Sequence, residues 1–158
     1  MRLIHLPTSW TVAADIAAWF LIHMGVAGLM VRVSRSRFEP DSGLFKIRSW
    51  ERRDLYERTF RIRRWKRWLP DGSIFLGGRG FSMKNLRGRS LLSLREFCLE
   101  TCRAEVTHWL ILLFAPLFFL WNPFWVGGFM IVYALAENIP LILTQRYNRG
   151  RLLRLFNR

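Results

Sequence analysis

The chain has 158 residues, one domain's worth, with 25 Lys and Arg against 11 Asp and Glu and a net charge of +14. Hydrophobic residues make up 51% and aromatics 15%, which excludes a disordered chain. The charge alone would suit nucleic acid, but 31 consecutive residues, Val106 to Ala136, contain no Asp, Glu, Lys or Arg. Such segregation of charge from apolar sequence points to an all-α integral membrane protein with a basic aqueous face, and away from a nucleic-acid binder.

Read in chain order, the whole of 1–158 is one membrane domain. Residues 10–31 form a first span whose ionisable groups are Asp15 and His23. A cleaved signal peptide fits this stretch poorly, because the basic cluster follows the apolar run and no A-x-A-like site precedes it. Residues 32–103 are a basic aqueous segment. The next 40 residues, Val106 to Gln145, suffice for two spans at roughly 20 residues each. Asn122-Pro123 between flanking Trp residues supplies the turn. The spacing predicts spans at 104–121 and 124–145 and a basic tail at 146–158; a re-entrant hairpin over 104–145 is the alternative, since Pro116 falls in the shorter span. One basic residue precedes the first span, 19 lie in 32–103 and five in the tail. The positive-inside rule puts both basic segments in the cytoplasm and the N-terminus outside.

Within the basic segment, Leu55, Ile62 and Leu69 recur every seven residues beside Phe60, Trp65 and five bases at 61–67. This predicts a basic amphipathic helix over 44–69 lying in the headgroup layer, with Lys66 among the bases that could hold the phosphates of an acyl carrier or a lipid. Leu69-Pro70-Asp71-Gly72 reads as a tight turn in which Asp71 is a turn former or, less simply, a catalytic carboxylate. The glycines that follow lack a phosphate-loop pattern. A helix is expected from about Ser90. Cys98 and Cys102, at i, i+4, read as a reduced pair of packing residues, and no metal-ligand spacing is present. No cofactor and no metal are expected.

The polar groups that could do chemistry cluster on the last two spans. Glu105 and His108 are i, i+3, so the spacing would let the carboxylate orient the imidazole as a general base; an interfacial His capping the span fits the same spacing. Glu100 and Arg103 are expected to pair. His23 and Glu137 each lie about 12 Å inside the membrane at 1.5 Å per residue and are candidates to pair with each other, with Asn138 at the same depth. Arg146, Asn148 and Arg149 either hold a phosphate or carboxylate or snorkel to the interface.

These residues carry a resemblance. WERRDLY (50–56), RRWKRWLPDG (63–72), GRGFSMKNL (78–86), ETCRAEVTHW (100–109) and NIPLILTQRYNRGRL (138–152) resemble, in this order, the glycosyl-4,4'-diaponeurosporenoate acyltransferase family. The resemblance implies a membrane enzyme of carotenoid biosynthesis that esterifies a sugar hydroxyl with a fatty acid. It favours His108 and Glu105 as catalytic groups. Arg103, Arg146, Asn148, Arg149, Glu137, Asn138, Lys66 and Asp71 are then candidates for donor binding, acceptor binding or oxyanion stabilisation. The expected partners are a fatty acyl thioester, as acyl-CoA or acyl carrier protein, a lipid-borne glycoside acceptor, and the membrane. With no G-x-S-x-G elbow around any serine, direct transfer is the expected route. A non-catalytic lipid-binding or assembly subunit is the alternative, and it would not need Glu105 or His108.

Overall fold

A computed structural model describes residues 2–69 and 90–156, and all regular structure among them is helical. Three long helices form the body: α1 (Thr8–Arg32), α2 (Leu91–Phe114), which tightens into 3₁₀ turns over Ala115–Leu120, and α3 (Phe124–Phe156). Each is long and apolar enough to cross a membrane. Their outward faces keep large apolar side chains exposed, among them Phe20, Leu21, Leu113, Phe129 and Val132, as a lipid-facing surface requires. The protein is an all-α, multi-pass membrane protein.

The helices run further than the hydropathy suggested. α2 begins at Leu91, capped by the Ser90 hydroxyl accepting from the Ser93 amide at 3.3 Å, in agreement with the helix start expected at Ser90. α3 continues for 33 residues without a break, about 50 Å at 1.5 Å per residue, so 146–156 extends the helix instead of forming a separate tail. Pro140 lies inside α3, where its ring removes one backbone donor; the Thr144 hydroxyl caps its carbonyl at 2.9 Å.

The turn between α2 and α3 is latched to α1. Asp15, buried in the first helix, accepts from Trp121 Nε1 at 2.8 Å and Asn122 Nδ2 at 2.7 Å. The Leu3 and Ile4 amides both donate to the Leu120 carbonyl. Phe119 packs so closely on Gly127 that a Cβ there would lie 2.4 Å from its ring. At the other end, the basic end, Arg103 joins α2 to α1 by donating to the Val31 carbonyl at 3.4 Å while pairing with Glu100 at 2.7 Å.

Residues 33–69 cross this basic end as a chain of short turns, not as the amphipathic helix that the heptad spacing suggested. A wide turn at Leu55–Thr59 closes on Phe60, whose amide donates to the Leu55 carbonyl at 3.0 Å. Arg61 then takes a left-handed conformation, φ 48°, and a single helical turn follows at Ile62–Trp65. The reason is tertiary. Tyr56 and Ile62 must both point down onto Tyr147 of α3, where the three make one buried cluster, and a straight helix six residues apart would not direct both to the same side. The Pro70–Gly72 turn, Asp71 and the glycines that follow lie outside the described residues.

Candidate active site

Two polar assemblies occupy the helix bundle. The first lies at the basic end and centres on Arg146. All five guanidinium N–H groups of this side chain have partners. Nε and Nη2 grip Glu51 as a fork, at 2.8 Å and 2.5 Å. Nη1 donates to Glu105 Oε1 at 2.7 Å and to the Leu44 carbonyl at 2.9 Å, and Nη2 also reaches the Lys46 carbonyl at 3.1 Å. Arg149, one turn on, is fully buried. It donates from Nη2 to Glu105 Oε2, from Nε to the Phe45 carbonyl at 3.0 Å and from Nη1 to Thr101 at 3.5 Å.

The carboxylates are equally occupied. Glu51 accepts from the Tyr56 hydroxyl at 2.5 Å and from the Arg48 amide at 3.0 Å besides Arg146. Burial alone would raise its pKa, but those hydrogen bonds outweigh it and hold the carboxyl at about 2. Burial and the bond to Glu51 push the Tyr56 hydroxyl in the opposite direction, above its ordinary value. Glu105 accepts from Trp109 Nε1 at 3.4 Å in addition to the two guanidiniums. Two carboxylates thus balance two guanidiniums. A buried network of this kind is tolerable only when every member is satisfied.

A second shell of contacts surrounds Tyr147. Its hydroxyl donates to Glu57 at 2.7 Å, which also pairs with Arg53 at 2.8 Å; those hydrogen bonds lower the Glu57 pKa. Lys66 donates to the Asn148 amide oxygen at 2.9 Å and lies over the Tyr147 ring at 5.1 Å, with Arg151 over the same ring at 5.7 Å. Burial, together with the like charges of Arg151 and Arg63, pushes the Lys66 ammonium below its ordinary pKa.

The second assembly lies deeper. His23 Nε2 and Glu137 Oε1 are 3.1 Å apart, the pairing expected between α1 and α3. His108 Nδ1 is 2.9 Å from Asn138 Oδ1. The Asn138 amide nitrogen donates to the Ala134 carbonyl at 3.0 Å, so its oxygen faces the imidazole and must accept. His23 Nδ1 similarly faces a carbonyl, that of Trp19, at 2.8 Å. In neutral His108 the proton is therefore on Nδ1 and the lone pair on Nε2, which has no hydrogen-bond partner among the described residues.

Several expectations change at this point. Glu105 and His108 are not brought together. Although i, i+3 on one helix, the carboxylate is drawn toward the guanidiniums of α3 while the imidazole turns to Asn138. The group that orients His108 is Asn138. Arg146 does not reach out as a free donor, because the network engages all five of its N–H groups, and Arg149 is buried against Glu105, the Phe45 carbonyl and Thr101. Arg103 is committed to Glu100 and the end of α1. The remaining candidate, Asp71, lies outside the described residues. Cys98 and Cys102 are buried with free thiols.

Sequence reasoning passed over Glu51 and Tyr56 altogether. Glu51 is the one acid between Asp41 and Asp54, set among Lys46, Arg48, Arg52 and Arg53. A lone carboxylate in so basic a stretch is a signal for a buried ion pair, and WERRDLY contains both residues.

A cleft of about 360 Å³ opens beside the Glu51–Arg146 pair, between residues 44–60 and the adjacent faces of α2 and α3. Its walls are mostly apolar, including Leu55, Phe60, Trp109, Ile139 and Ile142.

Comparison with known proteins identifies the family. A family model described as glycosyl-4,4'-diaponeurosporenoate acyltransferase matches residues 41–158, which takes in both assemblies except His23. A protein of that name from Staphylococcus haemolyticus (strain JCSC1435) is 35% identical over 137 residues, 86% of this chain and 79% of its own. Those from Staphylococcus aureus strains MRSA252 and USA300 are each 30% identical over 138 residues, 87% of this chain and 82% of theirs. No solved structure matches. With three-quarters of its length inside the family match and a 35% identical relative, the chain belongs to the glycosyl-4,4'-diaponeurosporenoate acyltransferase family and is an acyltransferase.

Proposed function

We propose that the protein transfers a fatty acyl group from a thioester donor to a sugar hydroxyl of a glycosylated carotenoid or similar glycolipid, with His108 as general base. The observation that carries this reading is the His108–Asn138 hydrogen bond, which leaves Nε2 with its lone pair and without a hydrogen-bond partner among the described residues. The Glu51–Arg146–Glu105–Arg149 network pairs its two carboxylates with its two guanidiniums, so it serves as the frame that fixes α2 and α3 around that histidine. The donor is acyl-CoA or acyl carrier protein.

In the proposed reaction the sugar oxygen attacks the thioester carbonyl carbon as its proton passes to His108 Nε2. The tetrahedral adduct collapses with cleavage of the C–S bond. The departing sulfur takes the proton back from Nε2, so the imidazole is regenerated and neither redox change nor cofactor is needed. Lys66, flanked by Arg63 and Arg151, is the proposed site for the donor's phosphates, since its oxygen partner at 2.9 Å is a neutral amide. The excess of bases at this end supports a cytoplasmic basic end and an external N-terminus.

The test is His108→Ala in full-length protein. A general base contributes about 10²–10⁴ in rate, so acyl transfer should fall by that factor while the protein still accumulates. Asn138→Leu should cost less and displace the acidic limb of the pH–rate profile, where protonation of the imidazole removes the base, because it releases the imidazole without removing it. Purified His108→Ala turning over at the wild-type rate would overturn the mechanism.

A further inference from the structure

We infer that the apolar cleft beside the Glu51–Arg146 pair holds the alkyl chain of the acyl donor, a single saturated chain on the order of a dozen carbons. This rests on the acyl-transfer reading and assigns that reaction a binding pocket.

Shape and chemistry converge on an alkyl chain. The cleft measures about 360 Å³ and is walled by Leu44, Leu55, Phe60, Trp109, Ile139 and Ile142. A methylene occupies about 27 Å³ at ordinary packing, so the space fits about 13 of them. A carotenoid backbone, rigid and far longer, would need at least roughly twice that volume. Glu51 and Arg146 also face the cleft, but each is consumed by the other and by the network. Those two groups have nothing to offer a polar ligand; the third charged residue of the lining, Arg48, is exposed and donates to the Gly43 carbonyl at 3.4 Å, which leaves it free to meet the polar head of the donor while the chain takes the apolar walls.

Position supports the same occupant. Trp109 and Ile139 line the cleft and directly follow His108 and Asn138, each about 100° further round its helix, so the cleft lies on the neighbouring face of α2 and α3 from the pair that presents Nε2. Its other wall, residues 44–60, leads to the turn that carries Lys66. A donor with phosphates at Lys66 and its chain in the cleft would approach from the aqueous side, leaving the membrane side of His108 to the lipid-borne acceptor.

Two measurements test this on the full chain in detergent. The first uses a non-hydrolysable thioether analogue of dodecanoyl-CoA with a diazirine at the chain terminus, followed by mapping of the adducts. Labelling should fall on 44–60, Trp109 and 139–143 and be competed by dodecanoyl-CoA. Adducts scattered over the lipid-facing surface, or not competed, would overturn the assignment whether or not the enzyme turns over. The second compares acyl-CoA chains of about eight to about sixteen carbons in Ile139→Trp. Trp fills roughly 60 Å³ more than Ile, so the preferred length should shorten by about two carbons, and the ratio of long-chain to short-chain turnover should fall about tenfold. An unchanged length profile would sink the pocket. If Ile139→Trp does not accumulate, Leu55→Trp narrows the cleft from the opposite wall and is read the same way. A wild-type enzyme that transfers no acyl chain would refute the function itself, while the labelling map would still decide the pocket.

Discussion

Arg146 has all its donors engaged, and this decides what its replacement does. Lys keeps the charge but has three donors on a compact head in place of a five-donor fork. Arg146→Lys therefore leaves Glu51 and Glu105, both essentially inaccessible to solvent, short of partners. Each hydrogen bond lost to a buried charged group costs about 1.5–3 kcal/mol. Thermal unfolding in detergent should show a marked fall in Tm; a wild-type Tm would mean that the side chain merely snorkels. Glu51 adds a pH dependence with a definite sign. Its folded pKa of about 2 is below the ordinary 4.5, so its contribution is complete above about 4.5 and is lost as pH falls through 4.5 toward 2. Glu51→Gln should lower Tm at neutral pH and remove this part of the acid-side slope. An unaltered acid-side profile would show that the carboxylate is not held by the network. The same residues explain why the pairing of Glu105 was not readable from spacing. An i, i+3 interval says which side chains can meet, but here guanidiniums 41 and 44 residues away compete for the carboxylate and win.

At the scale of elements, the spans were legible because 31 uncharged residues leave few alternatives. Their ends were not, since α2 and α3 continue past the apolar run on capping and ion pairs that hydropathy does not register. The heptad at Leu55, Ile62 and Leu69 misled for a comparable reason. Of the three only Ile62 is buried on α3, together with Tyr56 from outside the heptad, and Arg61 at φ 48° interrupts any helix that would contain them. The corner between α2 and α3 gives a sharper test. A Cβ at Gly127 would approach Phe119 Cδ1 to 2.4 Å, so Gly127→Ala forces the ring to move. Overpacking of this sort costs about 1–3 kcal/mol. Thermal unfolding should register the loss, and Phe119→Leu in the same chain should recover most of it. Gly127→Ala with an unchanged Tm would show that the ring yields freely.

Across the whole molecule, charge and polarity are distributed by end. The basic segment and the start of the final helical extension meet at one end, while the α2–α3 corner at the other is held by Asp15, Trp121 and Asn122. A reporter active only outside the cytoplasm should therefore work when inserted at Asn122 and fail at Asp41 or at the C-terminus. Activity at Asp41 would reverse the orientation proposed from the basic residues.

The guanidiniums that complete the frame both come from α3, which is made after α1, after residues 33–69 and after α2. Glu51 precedes its partner Arg146 by 95 residues, and Glu105 precedes it by 41. A nascent chain that has inserted α2 but not yet α3 carries two carboxylates, Glu51 and Glu105, without their guanidinium partners, and its Leu44–Thr59 stretch has no surface to settle on. Closure of the site is thus a late event in biogenesis. A chain interrupted before Arg146 would have two orphan acids and a loose basic arm, so the frame that holds the histidine forms only in a molecule whose last helix is in place.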